Sequence, residues 1–271
     1  MSEFKAKIVL DSIANSGVRL TTVELTYPRF IHAEILTHRD RCRNSASSRA
    51  IPWPKMMQRI VDTPVIPVQF GAEQRGMQTG AEIDNRNEAI KVWLEARDNA
   101  VKAAKELAEL GVHKSICNRI TEPWMWITTI MTATEWANLF RQRCHPDAEI
   151  HFQTIANLLR EEIEKSTPEK KVSGEWHCPY IQPDEWEMNL DTLKKISVAR
   201  CARVSYLTHD GIRDYRKDLQ LFDRLCEGSG FGHWSPFEHI ATPSKDANTR
   251  SGPFRGWRQY RKEFSNENVE G

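Results

Sequence analysis

The residues most able to do chemistry lie in one short run, Thr37-His38-Arg39-Asp40-Arg41-Cys42-Arg43-Asn44-Ser45-Ala46-Ser47-Ser48-Arg49-Ala50. It carries four arginines, an asparagine and three serines. Planar guanidinium forks, short hydroxyls and backbone N–H groups at a turn are the parts of a phosphate grip. A solvated Arg/Ser-rich loop has the same composition, so composition alone leaves both readings open. A further run of polar and aromatic residues is the late Gly232-His233-Trp234-Ser235-Pro236-Phe237-Glu238-His239. His177-Cys178 could suggest metal ligands, but the pair has no partners at suitable spacing and reads as a loop. The six cysteines are scattered without a C-x-x-C pair, which supports neither a disulfide framework nor a zinc site.

These residues must be positioned by a fold. Lys7 to Leu10 and Thr22 to Leu36 read as strands, the second with the alternation Val23, Leu25, Tyr27. Pro28 argues for an edge or a bulge there. Residues 51–80, with four prolines, read as irregular: an active-site cover or a mere connection. Residues 85–110 form a long helix with an apolar face that includes Ile90, Trp93, Val101 and Leu107, stopped at Gly111. Residues 115–140 are continuously apolar. Helices are expected over 136–143 and 149–165, broken near His145-Pro146, then a polar linker over 166–190. A helix over 215–226 precedes the late run. The stretch 252–262 mixes bases with aromatics and reads as a pocket rim or a packed arm, being too short for a single-strand binding surface.

The 271 residues are 39% hydrophobic and 28% charged, with mean hydropathy −0.59, values typical of a globular protein. Net charge is only +1, which provides no global field for nucleic acid, so any anion site must come from local clustering. The N-terminus lacks a signal-peptide apolar core and no stretch reaches membrane-spanning length, so a cytoplasmic protein with reduced thiols is expected. Nine tryptophans allow for flat-ligand pockets, although core packing explains most of them.

The order of residues adds a resemblance. His38-Arg39, Asn44, Ser47 and Arg49 fall where the signature R-H-R-x-x-S-x-N-x-x-S-x-R-Y of flavin-dependent thymidylate synthases (the ThyX family) has its own His-Arg, Asn, Ser and Arg. Thr37, Cys42, Ser45 and Ala50 depart from it, standing for Arg, Ser, Glu and Tyr. Asn138 and Arg143, followed by Ala148, resemble the family's helix that contacts flavin and pyrimidine. Arg119 resembles its phosphate-binding arginine. The family's N-x-R flavin contact would fall on Thr132 and Thr134 and is therefore altered. Ser197 to Tyr206, the helix after it and Gly232–His239 are similar to a strand, a helix and a run that the family places before its arginine motif. Here that segment starts roughly 160 residues after the start of the motif, which implies a circular permutation.

The resemblance implies an α/β (α+β) fold, a mixed sheet flanked by long helices, in a single catalytic domain over 1–271. Within it, 22–165 carries the arginine motif and helical part, 166–190 a linker, 191–242 the permuted segment and 243–271 a tail. It also implies C5 methylation or hydroxymethylation of a pyrimidine deoxynucleotide, dUMP first, with 5,10-methylenetetrahydrofolate as carbon donor and FAD with NADPH as reductant. A homotetramer with interfacial active sites is implied too. Substrate contacts would be Glu34, Ser47, Ser48, Arg49, Arg119 and Arg143, the last also catalytic. Flavin contacts would be Thr37, His38, Arg39, Asn44, Ser45, Asn138, Ser205, His233, Ser235 and Glu238. Glu34 stands where the family tends to have Gln, which keeps dCMP in play. A basic nucleic-acid-binding protein using Arg39–Arg49 and the tail is the alternative of another class.

Overall fold

The computed structural model describes residues 4–204, 214–227 and 232–267. Strands β1 (Lys5–Ala14) and β2 (Arg19–Pro28) form an antiparallel hairpin turned at Gly17. The strand expected over 22–36 ends at Pro28. Beyond it lie a short 3-10 turn and α1 (His32–Ile35), so Glu34 is helical. Pro28 is the last residue of β2, opposite Trp126, and marks neither an edge nor a bulge. A proline without an N–H is tolerated at such a terminus. The ladder irregularity lies in β1, between Ile8 and Leu10.

The arginine-rich run includes a short strand, β3 (Cys42–Ser45). The residues that follow are not wholly irregular, because α2 (Trp53–Asp62) forms within them, capped by Pro52 with Pro54 in its first turn. Prolines there need no intrahelical N–H partner. The long helix is α3 (Arg86–Glu109), closed by Gly111 at φ 83°. The short α4 (Lys114–Cys117) and a 3-10 turn lead into β4 (Trp126–Ala133). Helices α5 (Ala137–Arg143) and α6 (Ile150–Lys165) follow as expected, and then β5 (Glu169–Lys171).

The main sheet has the order β3-β4-β2-β1-β5, antiparallel except for the β1–β5 pair. Val23, Leu25, Tyr27 and Met131 pack one face against Phe152, Ile155 and Leu159 of α6. The other face is covered by the later half of the chain. Here α7 (Leu190–Arg203) replaces the strand expected from Ser197. Every residue from Ile196 to Ala202 is buried, so no polar face marks the helix in the sequence. Ser205, a predicted flavin contact, lies outside the described residues, as does Tyr206. Helix α8 (Tyr215–Glu227) packs on α7.

Segment 166–190 is packed rather than extended: β5 joins the sheet, and His177 and Cys178 are buried. His177 Nε2 meets Thr22 Oγ1 at 2.7 Å, and its Nδ1 meets Ser12 Oγ at 2.8 Å. Thr22 bonds Thr132, which bonds His239 Nδ1 at 2.7 Å. This buried polar thread ties β1, β2 and β4 to both loops that cross them. Burial lowers the pKa of His177 and of His239 to about 3.

The tail forms β6 (Ala241–Pro243), β7 (Arg250–Ser251), β8 (Phe254–Arg255) and β9 (Trp257–Gln259). β6 pairs with β9, and β7 with β8. Trp257 and Tyr260 are buried, so this is a packed arm whose rings are not presented to a base.

Arg200 of α7 holds Glu185 through two bonds of 2.6 Å and Asp218 through one of 3.1 Å, all buried. Arg203 also pairs with Asp218 at 2.7 Å. Arg200→Ala therefore leaves Asp218 one cation but takes the guanidinium from buried Glu185, and should cost about 3 kcal/mol of stability. Urea denaturation reads this, and an unchanged midpoint would contradict it.

Candidate functional site

Helix α1 ends in a turn at which Thr37 Oγ1 donates to the Glu34 carbonyl at 2.6 Å. The next residue, His38, is turned inward and lies edge-on to Phe152 of α6. Arg143, at the end of α5, lies over the same ring at 4.7 Å and donates its Nε to His38 Nε2 at 3.0 Å. Two parts of the chain 105 residues apart thus meet at one aromatic plate. Burial lowers the His38 pKa, with Arg41 and Arg143 adding to the effect. A neutral imidazole is what can accept from Arg143. The terminal nitrogens of Arg143 carry no bond among the described residues. Burial raises the Glu34 pKa and Glu149 adds, while Arg143 and His151 oppose. Glu34 thus lies within electrostatic reach of Arg143, which bonds His38.

The four arginines of the run divide. Arg41 is buried, pairs with Asp40 and lies 5.1 Å from the Trp136 ring. Arg43 Nη1 donates to the His38 carbonyl at 3.0 Å. Both brace the turn. Arg39 and Arg49 are exposed, and neither has a partner among the described residues. A third such guanidinium, Arg119, is brought close in the chain fold. Asn118 donates to the carbonyls of Ser48 and Ile51 at 2.7 and 3.0 Å. Ser48 Oγ donates to Glu122 at 2.9 Å, and Arg29 neutralises the same carboxylate at 3.0 Å. The predicted substrate residues Ser47, Ser48, Arg49 and Arg119 thus sit on two segments stitched together.

Beside them opens a pocket of about 330 Å³, bordered by Arg29, His32, Leu36 and Glu122. Burial lowers the pKa of its His32 to about 4, with Arg29 and Arg43 adding. His32 Nδ1 meets the Tyr27 hydroxyl at 2.9 Å, which meets Thr129 at 2.8 Å, and Thr129 donates to Ser45 at 3.0 Å. Sequence reasoning missed His32, Glu122 and Phe152. Glu122 and Phe152 act through contacts with distant segments, for which a single sequence has no local signal, and His32 acts through Tyr27, five residues earlier.

The predicted flavin residues do not all share one face. Arg43 and Ser45 point to the α6 side of edge strand β3, and Cys42 and Asn44 to the other. Asn44 is buried and its Oδ1 has no partner among the described residues. Cys42 Sγ accepts from Gln259 Nε2 at 3.0 Å. Burial pushes the Cys42 thiol well above its ordinary value, and nearby Glu238 adds. The early run and the late corner therefore touch. Glu238 itself is paired with Arg261 at 2.5 Å. His233 and Ser235 are exposed on the same corner, whose entry needs Gly232: φ is 57°, and a Cβ would lie 2.6 Å from the Trp234 ring. Asn138 is exposed on α5, accepts from Gln142 at 3.2 Å and touches neither group.

No family model and no curated protein sequence matches the chain. By fold, the mixed α/β architecture is shared with nucleotide-modifying enzymes of known structure. It is similar to a UMP/dUMP methylase, PolB from Streptomyces cacaoi, bound with 5-Br dUMP: TM-score 0.51, 12% identity, covering 61% of this chain and 91% of that one. The same methylase bound with 5-Br UMP matches with TM-score 0.51 at 13% identity, covering 61% and 90%. No helix among the described residues is long and apolar enough to cross a membrane.

Proposed function

We propose that this chain is a flavin-dependent enzyme that alkylates C5 of a pyrimidine deoxynucleotide, dUMP first and dCMP second, with 5,10-methylenetetrahydrofolate as carbon donor. The observation that carries the reading is the Arg143–His38 contact beside Glu34, with Arg143's terminal donors left over. A guanidinium fixed at one nitrogen can offer the others to a pyrimidine carbonyl and N3, and so stabilise the anion that develops as C5 is attacked. The fold shared with a UMP/dUMP methylase supports the substrate class. Ser47, Ser48, Arg49 and Arg119 would hold the phosphate, their nearest carboxylate being already neutralised by Arg29.

The residues present fit a flavin. Asn44 offers a buried acceptor lacking a donor, which a ring N–H or a ribityl hydroxyl would satisfy, and Arg39 offers an unpaired cation. His233, Ser235 and Thr37 would add contacts from either side of β3. Bound FAD, reduced by NADPH, would supply hydride. The protein's part is placement. The high pKa of Cys42 leaves it no nucleophilic part. Because the flavin candidates lie on both sides of an edge strand, the reading includes completion of each site by neighbouring copies in a homotetramer. It also includes a circular permutation, supported by the contact of Cys42 with the Glu238 corner.

Two measurements test this. Mass analysis of dUMP and dCMP incubated with methylenetetrahydrofolate, FAD and NADPH should show a methyl or hydroxymethyl gain on one of them. A colourless protein that modifies neither would remove the proposal. Arg49→Ala should weaken nucleotide binding by about tenfold, the loss of one charge-assisted contact. An unchanged dissociation constant would take Arg49 out of the site.

A further inference from the structure

A second cavity, of about 300 Å³, lies between α2 and the ends of β1, β2 and β4. None of the residues assigned above lines it. Its rim carries two cations, Lys5 and Arg59, neither of which is paired with a carboxylate among the described residues. The one acid on that helix end, Asp62, accepts from Gln58 at 2.7 Å. Thr26, Thr63 and Thr128 line it as well: Thr26 and Thr128 share a hydrogen bond of 3.2 Å and Thr63 Oγ1 donates to the Arg59 carbonyl at 3.1 Å, which leaves one hydroxyl proton of the three for a ligand. Met56 and Ile60 of α2, both buried, supply an apolar wall. Trp126 lines the same cavity, its ring packed edge-to-face on Phe4 at 5.2 Å.

Positive charge without a counter-charge, a hydroxyl donor and one apolar wall are features of a site built for an anion on a flat body. Its volume is at the small end of ligand sites, which excludes a dinucleotide. We propose that this cavity binds a small ring-bearing organic anion, its carboxylate or phosphate between Lys5 and Arg59 and its ring against Met56, Ile60 and Trp126. The site goes beyond the C5-alkylation reading and does not depend on it.

Calorimetric titration of the full chain with matched pairs tests the proposal: benzoate against benzamide, and dUMP against deoxyuridine, with inorganic phosphate alone. At least one ring-bearing anion should saturate below about 1 mM, with its neutral partner and inorganic phosphate at least about tenfold weaker. Saturation by benzoate identifies an aromatic acid, and saturation by dUMP a mononucleotide. Arg59→Glu and Lys5→Glu should each weaken that anion by about tenfold or more while thermal unfolding stays unchanged. Arg49→Ala should leave this event intact, which separates it from binding at the proposed active site. Saturation by none of the anions, equal binding of the neutral partners, or an affinity that Arg59→Glu leaves unchanged overturns the proposal.

Discussion

Arg143→Ala is expected to lower turnover by about 10²- to 10³-fold, the usual cost of removing one preorganised donor from a developing oxyanion. The guanidinium is half-buried, rests on Phe152 and bonds only His38, so its loss should leave the fold and any bound flavin in place. Arg143→Lys should recover little, because an ammonium cannot keep one fixed donor on His38 and aim a planar pair at a pyrimidine edge. Arg141, exposed two residues earlier, is the control, and Arg141→Ala should be close to neutral. Single-turnover kinetics with dUMP read the difference. Equal rates for the Arg143 and Arg141 variants would show that proximity to His38 has no chemical meaning.

The second large effect is on stability below neutral pH. His177 and His239 sit neutral in the interior with pKa values near 3, against about 6.5 in the unfolded chain. Between those values the unfolded state binds more protons, so stability is complete above pH 6.5 and falls as pH drops toward 3. From pH 7 to 5 each histidine should remove about 2 kcal/mol, a large share of a typical domain's margin. His32, lowered to about 4, acts in the same direction. Urea midpoints across this range read the effect. His177→Asn should flatten the pH slope by nearly one proton even though it lowers the plateau. A slope that survives the substitution would assign the acid sensitivity to other groups.

The long helix and the first part of β2 were legible because the apolar stripe of one and the Val23, Leu25, Tyr27 alternation of the other are local and one-sided. The opposite holds for α7: Ile196 to Ala202 are all buried, no amphipathic stripe marks the helix, and the resemblance had implied a strand there instead. Prolines 52 and 54 hid α2, although at the start of a helix they favour it. In the candidate site, the motif pointed to Arg39, Ser47 and Arg49, but residue type could not say which guanidinium stays unpaired. Arg41 and Arg49 look alike in sequence, yet the first is buried beside Trp136 and the second has no described partner. The pairing of Glu238 with Arg261 was out of reach for the same reason, since it joins the corner to a tail that the motif does not include.

The indole N–H of Trp257 donates to the carbonyl of Val18 at 3.1 Å, across 239 positions of chain. A nascent polypeptide emerging from the ribosome would hold its first hairpin unfinished until this late tryptophan arrives. Closure across so long a span makes folding slow and leaves the hairpin's apolar side uncovered for most of synthesis. Chaperone demand during translation should therefore follow the arrival of Trp257 rather than the completion of the main sheet.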